Sequence, residues 1–212
     1  MAPPPPGAAT SARLLFRAKR GSLSETAPSA RWRSLAVRTG FVVIRRETPG
    51  DRPAIEAVIS AAFRRPGSDE SPPETALVQA LRRDVGWIES LSLVATRDRR
   101  IVGHVVCTRG WVGELAVLGL GPISVLPDYQ RQGIGQALMH AVIGAADAAG
   151  EPLIAVLGDQ HFYGRFGFVE ASRMGVLAPD PEWGAHFQVR TLTHCPSSIA
   201  GTFRYAAPFE DL

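Results

Sequence analysis

Apolar positions first fall into a pattern at Phe41-Val42-Val43-Ile44, a β-branched run that predicts a short strand ended by the turn-prone Thr48-Pro49-Gly50-Asp51. Ile55, Val58, Ile59, Ala62 and Phe63 then recur at the spacing of one helical face. After a polar loop, Ser71-Pro72-Pro73-Glu74 reads as a capping box with proline at the first helical position, opening a second helix that turns Leu77, Val78 and Leu81 inward. Leu91 to Thr96 and Ile101 to Thr108 predict a hairpin across Arg97-Asp98-Arg99-Arg100, and Leu115 to Leu126 a longer strand. Ile134, Leu138, Met139, Val142 and Ala145 mark a helix ending at Gly150, and Leu153 to Leu157 is an unbroken apolar run, expected as a buried parallel strand reached by a right-handed crossover. A helix or turn at Phe162-Tyr163 and strands near Phe168 and His186 to Leu192 complete an α/β domain with a mixed, mostly antiparallel sheet of about six to seven strands flanked by helices.

Composition narrows the function classes. Residues 1–40 show no apolar period and carry seven basic residues against one acid, Glu25, so the remainder of the chain is mildly acidic despite a net charge of +3. We read 1–40 as a disordered or mis-started extension, with an Arg-rich targeting segment as the alternative, and 41–212 as the catalytic domain. An acidic domain has no general electrostatic reason to bind nucleic acid. Apolar runs are far shorter than a bilayer span, which points away from a membrane protein. Cys107 and Cys195 stand apart, without metal-ligand spacing, so neither a disulfide framework nor a metal site is expected, and a reducing, cytoplasmic setting fits.

The chemistry is concentrated between the long strand and the helix after it. The strand ends at Pro127 and the helix starts close to Gly133, leaving unpaired first-turn amides at its positive end, with glycines that let a phosphate approach the backbone. Arg131 is either a phosphate partner or an exposed loop arginine. Neither a Walker-type loop nor a complete dinucleotide fingerprint is present, since Gly119-Leu120-Gly121 is not followed by glycine at Ser124.

Gln130-x-x-Gly133-x-Gly135, preceded by Val125-Leu126-Pro127 and followed by an amphipathic helix, resembles the coenzyme A loop of the GNAT superfamily of N-acetyltransferases. The resemblance runs from about Phe41 to Leu192. It implies acetyl-CoA as cosubstrate, with the segment Ile123, Ser124 and Val125 lying along the pantetheine arm; backbone groups of Ile123 and Val125 hold the arm and the acetyl carbonyl. It further implies a cofactor loop opened by Gln130, with the pyrophosphate held by the amides of Arg131, Gln132, Gly133, Ile134, Gly135 and Gln136, and direct transfer to the primary amine of a small molecule or peptide. A homodimer is compatible with it, though no interface is legible. A non-catalytic acyl-CoA sensor is the competing reading, and a charged tRNA or a protein acceptor is not excluded by the loop.

The family also commonly places a tyrosine after its fifth strand, which His161-Phe162-Tyr163-Gly164-Arg165-Phe166-Gly167-Phe168 resembles. A phenol of pKa about 10 can return a proton to a departing thiolate of about 8.5, so Tyr163 is taken as the acid, against the alternative of an aromatic packed in the core. The base is open among Glu114, Glu74 and His104. Glu114, at the start of the long strand, is taken first, against the alternative of an exposed hairpin carboxylate, because the capping box accounts for Glu74 and an apolar strand for His104. Cys107 reads as a core residue. Asp69, Glu70 and Glu74 would suit a cationic acceptor, or form a solvated acidic loop.

Overall fold

The structure, a computed structural model, describes residues 41–65, 67 and 70–211. The readings made for residues 1–40 and for Asp69 lie outside these. Strand β1 (Val42–Arg46) pairs antiparallel with β2 (Trp87–Arg97), β2 with β3 (Arg100–Val112), and β3 with β4 (Leu115–Val125). The β2–β3 turn carries Asp98 and Arg99 at φ 50° and 63°, the left-handed pair that a tight hairpin demands. Helices α1 (Arg52–Phe63) and α2 (Pro73–Leu81) lie between β1 and β2 in the chain.

From β4 the chain enters α3 (Ile134–Ala148) and returns as β5 (Leu153–Leu157), parallel to β4 and buried along its whole length. Gly150, at φ 78°, ends the α3 turn in the left-handed conformation that glycine takes without penalty. Next come α4 (Gln160–Tyr163), β6 (Val169–Glu170), β7 (Val176–Leu177), β8 (Phe187–Thr191) and β9 (Gly201–Arg204). The sheet order is β1-β2-β3-β4-β5-β8-β6, with β9 pairing the far end of β3 and also β7.

The α/β class and the mostly antiparallel sheet are as the sequence implies, while among the described residues the sheet has nine strands, not six or seven. The additions are short: β7 has two residues and β9 four, too few for a period-two pattern to stand out in glycine- and serine-rich surroundings. The capping box at Ser71 is absent. The helix starts at Pro73, so Pro72 occupies the cap position and no side chain caps it; Ser71 falls one residue too early.

Each face of the sheet is covered differently. On one, α3 buries Ile134, Leu138, Met139, Val142 and Ala146 against Leu93, Val105, Cys107 and Leu118, each large side chain contributing ~1.5–3 kcal/mol. Gly103 permits the close approach, because a Cβ there would stand 3.0 Å from Leu138 Cδ1. On the other face α1 and α2 set Ile55, Ile59 and Val78 against Val94 and Ile101. Beside them the C-terminal segment packs Ala206 and Phe209 against Leu77 and Leu81.

Candidate active site

Strands β4 and β5 share only two register pairs, Leu118 with Ile154 and Gly119 with Ala155. Just beyond, Gly121 and Pro122 stand opposite Val106 alone, a bulge that turns β4. From there to Val125, β4 keeps its partner β3 and has no strand on its other side. Strand parity identifies the groups left open. The Leu126 amide bonds Val102 O at 2.9 Å, so two residues back the main chain of Ser124 also faces β3, opposite His104. Those of Ile123 and Val125 face the open side, where an extended ligand can add as a strand. Ser124 does not belong with them: its main chain is turned to β3 and its side chain is buried.

Above this edge the chain makes a turn at Pro127–Tyr129, passes Arg131 and Gly133 at φ 60° and 83°, and enters α3. Two glutamines brace the loop. Gln130 Nε2 donates to Val125 O at 3.0 Å, and Gln132 Nε2 to Asp128 O at 2.8 Å. Gln132 Oε1 in turn accepts from Arg97 Nη1 at 2.8 Å. The helix has no side-chain cap at Gly133, and its first internal bond is from the Ala137 amide to Gly133 O. The amides of Ile134, Gly135 and Gln136 therefore have no helical acceptor, an arrangement that can receive an anion. Gly135 faces Phe162 of α4, with 3.8 Å left for a Cβ.

Helix α4 starts at Asp159, whose carboxylate accepts from the amides of His161 at 2.7 Å and Phe162 at 3.3 Å. This fixes Tyr163 at the fork between β4 and β5, where its ring lies over Gly158 so closely that a Cβ would overlap it. Burial, then Cys107 and Asp159, push the phenol well above its ordinary range, so it remains a proton donor at neutral pH. Cys107 is buried and burial likewise raises its thiol, which leaves it a core residue without nucleophilic character.

Glu114 is not brought to the fork. It is exposed in the β3–β4 turn, at the other end of β4 from Ile123, roughly 30 Å away at ~3.3 Å per strand residue. The parallel cleft opens at the C-terminal end of β4, not at its start. Glu74, freed from the capping role, is buried in the first turn of α2, and burial raises its carboxyl pKa.

His104 is fully buried on the α1 side. Its Nε2 lies 3.0 Å from Ser92 Oγ and 3.3 Å from Glu47 Oε2. Ser92 gives its proton to Glu47 at 2.6 Å, so Nε2 carries the imidazole hydrogen and Nδ1, which has no partner, is the bare nitrogen. Glu47 also takes Arg82 Nε at 2.9 Å and Nη2 at 3.1 Å. Burial opposes its charge, but the hydrogen bonds from His104, Arg82 and Ser92 outweigh that and hold its pKa at about 2.

Sequence reasoning missed Tyr205 and Phe209. The Tyr205 ring lies on Gly119, where a Cβ would stand 2.7 Å from its Cδ1, and Phe209 covers Gly121 at 3.8 Å. A signal was available in hindsight: Gly119 and Gly121 interrupt an otherwise bulky strand, and such gaps mark close approach by something large.

Known proteins give the same picture. A family model described as an acetyltransferase (GNAT) domain matches residues 89–170. An "uncharacterized N-acetyltransferase YhbS" of Escherichia coli K12 is 34% identical over 172 residues, covering 79% of this chain and 98% of the relative. The crystal structure of E. coli YhbS in complex with CoA superposes with a TM-score of 0.73 at 28% identity, over 88% of this chain and 96% of that one. A GNAT acetyltransferase from Brucella melitensis, crystallised with acetyl-CoA, gives 0.65 at 33% identity, over 80% and 99%. Among the described residues no helix is long and apolar enough to cross a membrane, and no group of His, Cys, Asp or Glu could hold a metal ion.

Proposed function

Because this chain belongs to the GNAT family of N-acetyltransferases, we propose that it moves the acetyl group of acetyl-CoA directly to a primary amine of a small molecule or peptide. One observation carries the reading: the edge of β4 at Ile123 and Val125, with no strand beside it and only Val125 O taken by Gln130, runs straight into the uncapped start of α3. An extended amide-bearing arm can pair with the first while its pyrophosphate meets the second. In this reading the amides from Arg131 to Gln136 hold the phosphates, Gln130 fixes the loop by holding Val125 O, and Arg131 adds positive charge. The CoA-bound and acetyl-CoA-bound relatives support the choice of cosubstrate.

The amine nitrogen attacks the acetyl carbonyl carbon, and the carbonyl oxygen becomes an oxyanion that main-chain donors of the β4 edge stabilise. As the C–S bond breaks, Tyr163 gives its phenolic proton to the sulfur. The phenolate that remains is a strong base, and the proton shed by the new amide nitrogen returns to it through water. This cycle closes without a carboxylate at the position of Glu114. The test is a panel of primary amines followed by thiol release, with wild-type protein and Tyr163→Phe. Turnover lost with CoA binding intact supports the reading. Equal turnover by the variant removes Tyr163 from the mechanism, and no turnover with any amine by wild type that binds acetyl-CoA favours a sensor.

A further inference from the structure

The fork is closed at its base by a side chain from a distant part of the chain. The Gly158 amide bonds His186 O at 2.9 Å across β5 and β8, so by strand parity the Leu157 amide faces the opposite way, toward β4. Because β4 has already diverged, no strand receives it. The Tyr205 hydroxyl lies beside it, and near Tyr163. The ring cannot swing aside, being flanked by Phe203 and Phe209 with centroids 4.6 Å away on each side and seated on Gly119.

Register sets the remaining space. Ala155 is level with Gly119, so Leu157, two residues on, is level with Gly121. From there to the open amide of Ile123 is two strand residues, roughly 7 Å at ~3.3 Å each. That span takes a thioester carbonyl and one methyl group, and each further methylene would run into the Tyr205 ring.

We propose that Tyr205, seated on Gly119 and held between Phe203 and Phe209, is the floor of the acyl pocket and limits the transferred group to acetyl. The inference rests on the acyl-CoA reading above and deepens it by assigning donor specificity. Calorimetric titration of the full chain with CoA, acetyl-CoA and butyryl-CoA tests it without an identified acceptor. Wild type is expected to bind butyryl-CoA at least tenfold more weakly than acetyl-CoA. Tyr205→Ala, and Tyr205→Leu should the alanine variant fail to fold, should reduce the gap below threefold, while Tyr205→Phe, which keeps the ring, should preserve it. Equal binding of the two donors by wild type overturns the inference, as does an unchanged gap in a folded alanine or leucine variant. If CoA itself does not bind, the parent reading fails together with this one.

Discussion

The two ends of the cleft are built from different materials. At the α3 end the groups that line the cleft are main-chain amides, and side chains such as Gln130 and Gln132 brace the loop. At the base of the fork they are two phenols, one from α4 and one from the segment after β9, fitted against Gly158 and Gly119. A site made of backbone tolerates most substitutions but depends on φ at a few residues. A site made of side chains depends on their identity. Five substitutions sharpen or break this contrast.

The largest effect should come from the fork. Tyr163→Phe is expected to lower kcat ~10²–10⁴-fold, the usual contribution of a general acid, with the Kd for CoA unchanged within about twofold. A parallel loss of affinity would make Tyr163 a packing residue.

Next in size is Glu47→Gln, which tests whether the buried polar cluster that joins Glu47 and Arg82 to β2 and β3 is structural. Removing one member of a buried pair typically costs ~3–5 kcal/mol, so thermal unfolding at pH 7 should fall clearly. The carboxyl is held at about 2 in the fold against an ordinary 4.5. A lowered pKa adds stability that is fully present above pH 4.5 and disappears as pH falls toward 2, so wild type and variant should converge in that window. A constant difference from pH 7 to pH 2 would show that the loss comes from packing.

At the other end of the cleft, Gly133→Ala should cost ~1–2 kcal/mol, because alanine strains at φ 83° although no atom lies within 4 Å of its Cβ. CoA affinity should fall with it, measured by calorimetry, whereas Arg131→Ala should change affinity only a few-fold. A larger loss for Arg131→Ala would mean that side-chain charge, not the amides, holds the phosphates. The smallest effect is expected from Glu114→Gln: turnover within twofold of wild type, since the residue lies at the far end of β4.

The same contrast decides how much was legible in the sequence. The helices and long strands were readable because their apolar periods span many residues, and the loop because amide-built sites constrain short stretches of chain. Strand β5 could be identified as parallel from its unbroken apolar run. The fork's base could not be read. Tyr205 and Gly119 are far apart in sequence, and only pairing of β9 with β3 brings the last aromatics onto β4. Glu114 is the exposed hairpin carboxylate and not a base, because a strand pattern does not say which of its ends faces the cleft. Glu74 was assigned to a cap that Pro72 displaces by one residue, which hid a buried carboxyl. An apolar strand accounts for His104 as a sheet residue, and its Nε2 is paired there, but nothing in that strand signals the bare Nδ1.

The most direct test of the account is calorimetric titration of the full chain with acetyl-CoA, with Gly133→Ala in parallel. Saturable one-to-one binding in the micromolar range, weakened about tenfold or more by the glycine substitution, is the predicted result. No binding of acetyl-CoA at millimolar concentration, or binding unaffected by the substitution, would contradict it.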